Sequence, residues 1–201
     1  MNAVITGDII NSRKLSAKEW MPKLKHALNK YGKEPKDWEI YRGDSFQLKT
    51  TPETALQATI LIKSTIKQFK KIDVRTAIGI GETTYQSDNI TESSGSAYIN
   101  SGTTFENLKK QTLAIKTPWE EFNESLNLMF ELASLTMDNW TPTSSLIIKT
   151  AIDADQNVNQ KELAILLDKK QSNISAGLKR GGYYEIQKLL NYYKKEIQKR
   201  C

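Results

Sequence analysis

A chain of 201 residues with 38% hydrophobic and 26% charged positions has room for one large domain or two small ones, and it is too apolar to be a disordered polymer. No apolar run approaches the roughly 18 to 20 residues that span a bilayer, so no membrane is expected. The net charge of +6 is unevenly placed: residues 1–138 hold 18 basic and 17 acidic residues, whereas residues 139–201 hold 11 and 6. A basic excess gathered in one segment is the electrostatic footprint of a polyanion-binding surface, or of a solvated basic helix end.

The opening MNAVITGDII lacks the charged and apolar regions of a signal peptide. The single cysteine, Cys201, leaves no disulfide and no cysteine-based metal site within one chain. Both lead us to expect a reducing, cytoplasmic setting. The single histidine, His26, stands among lysines on an expected surface helix, which argues against zinc or Ser-His-Asp chemistry.

In chain order, Met1 to Ile10 reads as a buried strand ending in Gly7-Asp8. Leu15 to Tyr31 reads as a helix, with Ser16 as N-cap, Glu19 at the capping-box position and Gly32 as the stop. Trp38 to Thr50 alternates on both sides of Arg42-Gly43-Asp44, as a hairpin does. Pro52 to Lys70 carries Ala55, Ala58, Leu61, Ile62, Ile66 and Phe69 along one helical face. Asp73 to Gly81 reads as a strand, Ser87 to Ser94 as a polar loop, Ala97 to Lys110 as a helix and Leu113 to Lys116 as a short strand. Pro118 is expected in the first turn of a helix over Trp119 to Met137. This order predicts an α+β domain whose antiparallel or mixed sheet packs helices on one face, over residues 1–138.

MDNWTP, residues 137–142, marks the expected boundary, and residues 139–201 read as an all-α domain. Ser144 to Ile152 gives a first helix, and Tyr184 to Gln198 a last one with Ile186, Leu189, Leu190, Tyr193 and Ile197 at helical spacing. Between them, Asn159 to Tyr184 has the build of a helix-turn-helix. Leu163, Ala164, Leu167, Ile174 and Leu178 fall inward, and Gly181-Gly182 ends the second helix. Lys169, Lys170, Gln171, Ser172, Asn173, Ser175, Lys179 and Arg180 form its candidate DNA-binding set, of types that read base edges and phosphates. Two positions depart from the motif: Asp168 occupies the turn position usually held by Gly, and Lys169 one usually apolar. The other reading is a helical bundle that mediates dimerisation or packs on the first domain. Because such modules commonly bind DNA as dimers, a homodimer is expected.

Asp8 and Asp44 fall at strand ends that meet if their strands are neighbours. A carboxylate pair of this kind suits Mg²⁺ with phosphate oxygens and water. Gly7 and Gly43 are expected to let backbone approach a phosphate. Gly-Asp is also a common turn pair, which leaves a purely structural reading open.

VITGDIINSR (4–13), RGDSFQL (42–48), VRTAIGIGE (74–82) and GSAYINSGTTFENLK (95–109) resemble, in order, the palm core of class III nucleotidyl cyclases and diguanylate cyclases. The whole chain, with its C-terminal helix-turn-helix, resembles the SatD family of bacterial proteins. The resemblance implies a ferredoxin-like palm in which Asp8, Asp44 and the Ile9 carbonyl hold metal. It places Gly7, Arg13, Arg42, Gly43 and Asn100 about a nucleotide. Counting from Gly95, the cyclase asparagine position falls on Ile99, beside Asn100, and the transition-state arginine position is Thr103. The expectation is therefore a DNA-binding regulator that senses a nucleotide through Mg²⁺ rather than an efficient enzyme. The alternative is a cyclase-like phosphoryl-transfer enzyme, with Arg13 or Arg42 supplying the missing guanidinium.

Overall fold

The structure, a computed structural model, describes residues 1–154 and 158–201. Five strands form one open sheet: β1 (Asn2–Ile10), β2 (Trp38–Tyr41), β3 (Ser45–Thr50), β4 (Asp73–Gly81) and β5 (Leu113–Lys116). Its order is β2-β3-β1-β4-β5, antiparallel throughout except for the parallel β4–β5 pair. Eight α-helices accompany it among the described residues: α1 (Ala17–Leu28), α2 (Ala55–Ile66), α3 (Ser96–Glu106), α4 (Glu120–Met137), α5 (Pro142–Asp153), α6 (Gln160–Leu166), α7 (Gln171–Arg180) and α8 (Tyr183–Gln198). The chain is thus mixed α+β.

The two-residue period of β1 divides the molecule. Ala3, Ile5 and Ile9 enter the main core with Trp20 and Leu24 of α1, Leu56 and Ile60 of α2, and Leu126 and Phe130 of α4. Val4 points the other way, to Ala97 and Tyr98 of α3, and the Thr6 hydroxyl donates to Ser101 Oγ at 3.0 Å. Helices on one face therefore describes α1, α2 and α4 but not α3. The reason lies in the spacing of Gly79 and Gly81. A Cβ on Gly79 would stand 2.2 Å from the Ser101 nitrogen and 2.3 Å from the Ala97 oxygen. The bare strand backbone on that face is the bed of a closely packed helix.

Helix limits differ locally from the sequence reading. Ser16 stands at the N-cap of α1, but its side chain makes no capping bond, and the helix ends at Asn29 before Gly32 is reached. Trp119 caps α4, so Pro118 precedes the helix rather than entering it. A side-chain cap that the sequence reading missed holds α6. Asn159 accepts from the Lys161 and Glu162 amides, and Glu162 reaches back to the Asn159 amide.

β5 is an edge strand whose outer polar groups are met by side chains. Asn127 of α4 accepts from the Ile115 amide at 2.9 Å and donates to the Ile115 carbonyl at 3.0 Å. One turn earlier, Asn123 does the same to Thr117, at 2.8 and 3.0 Å. Two amides at i and i+4 thus stand in for a neighbouring strand.

Beneath this edge, Lys63 of α2 is 3% exposed, and its ammonium meets Asp73 at 3.1 Å and Asp138 at 2.7 Å. It also donates to the Thr112 hydroxyl, while Lys67 binds the second oxygen of Asp73 and the Asp138 carbonyl. This network ties α2, β4 and the end of α4 together.

Residues beyond 138 divide between the main core and a smaller one of their own. Trp140, Ile148, Ile152, Ile186, Tyr193 and Ile197 share the main cluster with the sheet and α2. Buried Tyr193 donates its hydroxyl to the Pro52 carbonyl at 2.7 Å, and Lys30, just beyond α1, pairs with Asp153 of α5 at 2.5 Å. A second cluster, Ile147, Ala151, Leu163, Ala164, Ile174 and Leu178, joins α5, α6 and α7. A Cβ on Gly177 would stand 2.4 Å from Ile147 Cδ1, so that glycine lets α7 lie close on α5.

Candidate functional site

Two places hold the residues expected to act. The first is one end of the sheet, where β1 meets the β2–β3 hairpin. Asp8 pairs in register with Ser45, and the next β1 residue, Ile9, donates its amide to the Asp44 carbonyl at 3.1 Å. A strand residue's N–H and C=O leave on the same side, so the Ile9 carbonyl also faces the hairpin. Arg42 and Gly43 turn that hairpin with positive φ, 54° and 91°, and the space where a Gly43 Cβ would stand is open.

The two carboxylates have separate partners. Ser45 donates its hydroxyl to Asp8 Oδ1 at 3.2 Å, and Ser12 donates to Asp44 Oδ2 at 2.6 Å. Arg75 Nε stands 3.5 Å from Asp8 Oδ2, with its guanidinium carbon 4.8 Å from the centre of the Phe105 ring. Burial and then the negative charge of Asp44 raise the Asp8 pKa above the ordinary carboxylate value, against the opposing pull of Arg75. The site holds more negative than positive charge at close range, which a divalent cation would correct. Among the described residues no group of three or more His, Cys, Asp or Glu side chains gathers anywhere. The oxygens that could meet a cation here are those of two carboxylates, two hydroxyls and the Ile9 carbonyl. That oxygen-only set fits Mg²⁺, which keeps several of its waters.

Other expected members stand elsewhere. Gly7 faces the core: a Cβ there would be 2.3 Å from the Phe46 ring, so its lack of side chain admits that ring rather than a phosphate. Asn100 donates to the Ile80 carbonyl at 2.9 Å. Ile80 pairs with Ala3, five positions along β1 from Asp8, about 16 Å at the rise of a strand. Its amide is fixed at the other end of the sheet. Arg13 and Arg42 are exposed and make no ion pair with either aspartate, and Thr103 is exposed on the last turns of α3. Ser12, Ser45 and Arg75 are site residues that the sequence reading passed over. Arg75, the one charged residue inside the apolar alternation of VRTAIGIG, was the available signal.

The second place is α6–α7. Leu163, Ala164, Ile174 and Leu178 are buried and Leu167 is partly so, as their spacing requires. Asp168 adopts φ 49°, the left-handed conformation that the turn position demands, and Asp is one of the few non-glycine residues that tolerate it. Lys169 is half-buried, its amide bonded to the Ala164 carbonyl. Lys170, Gln171, Ser172, Asn173, Ser175, Lys179 and Arg180 are all exposed. Lys179 and Arg180, at the C-terminal end, carry this face to the margin of a groove between α4 and α8.

The SatD family model matches residues 2–190. The chain belongs to the SatD family. The match runs through both places, from β1 into α8, so the sheet and the α5–α8 helices are one family unit. No curated protein and no solved structure matches this SatD chain. No helix among the described residues is long and apolar enough to cross a membrane.

Proposed function

We propose that this SatD protein binds DNA through α7 and senses a Mg²⁺-nucleotide at Asp8 and Asp44, acting as a cytoplasmic transcriptional regulator. The observation that carries the reading is α7 itself. Its inward residues close the α5–α7 core, the turn before it is left-handed at Asp168, and its outward side chains are polar or basic and exposed. Lys169 and Lys170 supply phosphate contacts, while Gln171 and Asn173 have the bidentate amides that pair with adenine in the major groove. The Lys169→Ala, Lys170→Ala double variant weakens binding to all duplexes and lowers the slope of log affinity against log salt by about 2. A gel-shift titration across salt concentrations measures this, and unchanged affinity overturns the reading.

The order β2-β3-β1-β4, with α1 and α2 as crossovers on one face, supports the ferredoxin-like palm. Arg75 favours a second reading, a cyclase-like phosphoryl-transfer enzyme. Although Thr103 stands at the expected arginine position, a guanidinium lies beside Asp8 from a different strand. Mg²⁺-dependent product formation from a nucleoside triphosphate, lost in Asp44→Asn, selects that reading.

A further inference from the structure

α4 leaves an apolar stripe uncovered. Leu128, Leu132 and Leu135 are 59%, 61% and 71% exposed and lie along one helical face. Beside them an open groove of about 750 Å³ runs between α4 and α8, lined by Met129, Leu132, Ala133, Leu189 and Tyr192. Three exposed leucines on one helix beside such a groove mark an interaction surface.

The charges around this stripe identify what covers it. α4 carries four glutamates and no lysine or arginine. Glu121 and Glu124 continue the stripe toward the helix N-terminus and are exposed. The groove's basic residues, Lys179, Arg180 and Lys188, lie beside the other half of α4. Gly182 stands against Thr136, and α8 runs back from there until Arg200 reaches the Phe122 ring. Glu185 also lines the basic end, outnumbered by the three cations, and Arg200 at the acidic end is already paired with Glu196, so the face is net acidic at one end, apolar in the middle and net basic at the other. Such a surface is complementary to itself when turned through a two-fold axis.

We propose that the α4–α8 face is the interface of a two-fold dimer of this chain. The two α4 helices run antiparallel, leucine stripe against leucine stripe. Glu121 and Glu124 of each copy lie over Lys179 and Arg180 of the other. The pairing takes Lys179 and Arg180 out of the candidate DNA-binding set and into the interface, while Lys169 to Ser175 stay clear of it. It stands whether or not α7 binds DNA, because it is read from mass without nucleic acid.

Sedimentation of the full chain across a micromolar concentration series should give twice the chain mass. Leu132→Asp should give the mass of one chain, with an unchanged melting curve in dilute solution because Leu132 is exposed in the single chain. Reversing Glu121 and Glu124 to Lys should raise the dimer dissociation constant by about tenfold or more, and so should reversing Lys179 and Arg180 to Glu. Combining the reversals should restore it. A wild-type chain that stays monomeric, a Leu132→Asp chain that stays dimeric, or reversals without mutual rescue would each overturn the proposal.

Discussion

Two clusters in this molecule are built from the same ingredients, two aspartates with basic side chains, and they are balanced in opposite ways. At Lys63, two ammonium groups and two carboxylates meet at 2.7 to 3.1 Å under the β5 edge, with the Thr112 hydroxyl completing the set. At Asp8 and Asp44, two carboxylates share a partly exposed corner with one guanidinium at 3.5 Å from a single aspartate, and burial, then the Asp44 charge, makes Asp8 ionise less readily. The first cluster is closed, with every charge answered inside the protein. The second is held open, its serines fixing the carboxylates while their charge is left for something else to answer. That difference is the ground for proposing a binding role for Asp8 and Asp44 and a structural one for Asp73 and Asp138.

The largest expected effect comes from opening the closed cluster. Lys63→Met leaves Asp138 without its buried cation and Asp73 with Lys67 alone. A loss of about 3 kcal/mol is expected, at the low end for a broken buried pair because Asp138 is a third exposed. Thermal unfolding should record this as a fall of roughly 10 °C. A variant that melts with the wild type would erase the contrast between the clusters.

Asp8→Asn should have the reverse sign. Removing one of two neighbouring negative charges relieves repulsion, so the variant should melt no lower than the wild type at neutral pH. On the proposed function, Mg²⁺ with a nucleoside triphosphate should raise the melting temperature of the wild type and leave that of the variant unchanged. A thermal-shift series with and without Mg²⁺ reads both. A destabilised Asp8→Asn would mean that Asp8 serves the fold.

The smallest effect is one of pH. Because the folded protein raises the Asp8 pKa, it binds that proton more tightly than the unfolded chain does. This group's contribution to stability is full below the ordinary carboxylate pKa and is lost as pH rises through the shifted value. The advantage of Asp8→Asn over the wild type should therefore appear only on the high-pH side. Arg75→Met should move the Asp8 titration higher still and Asp44→Asn should move it lower, which NMR of the Asp8 side chain can follow. Identical titrations in all three proteins would show that the charges do not sense one another.

Elements with a clean period were legible in the sequence: β4 and β5 span the residues their alternation marked, and α7 buries Ile174 and Leu178 as expected. What was lost depended on register and on distant partners. Gly7 looked like a phosphate-approach residue until its cross-strand neighbour Phe46 was fixed. Asn100 was placed at the site by its position beside the cyclase asparagine, and a motif count cannot say which end of the sheet a side chain reaches. Nothing local marks Lys63 as buried, because its partner Asp138 lies far along the chain. The boundary at residue 138 looked like a linker because turn residues cluster there, yet Trp140 continues the core and donates to the Gly181 carbonyl. Asp8 and Asp44 were legible as a pair, whereas the arginine that makes their chemistry asymmetric was not.

Asn123 and Asn127 have a consequence for growth. A strand with bare outer amides is a template, and a second strand laid on it offers a third the same invitation, so association there has no natural end. By spending two side chains on the outside of β5, this chain removes the template on that side. Copies that meet on that side must meet through helices, whose faces are finite and are used up once matched. An assembly made that way stops at a fixed number of chains instead of propagating as a fibre.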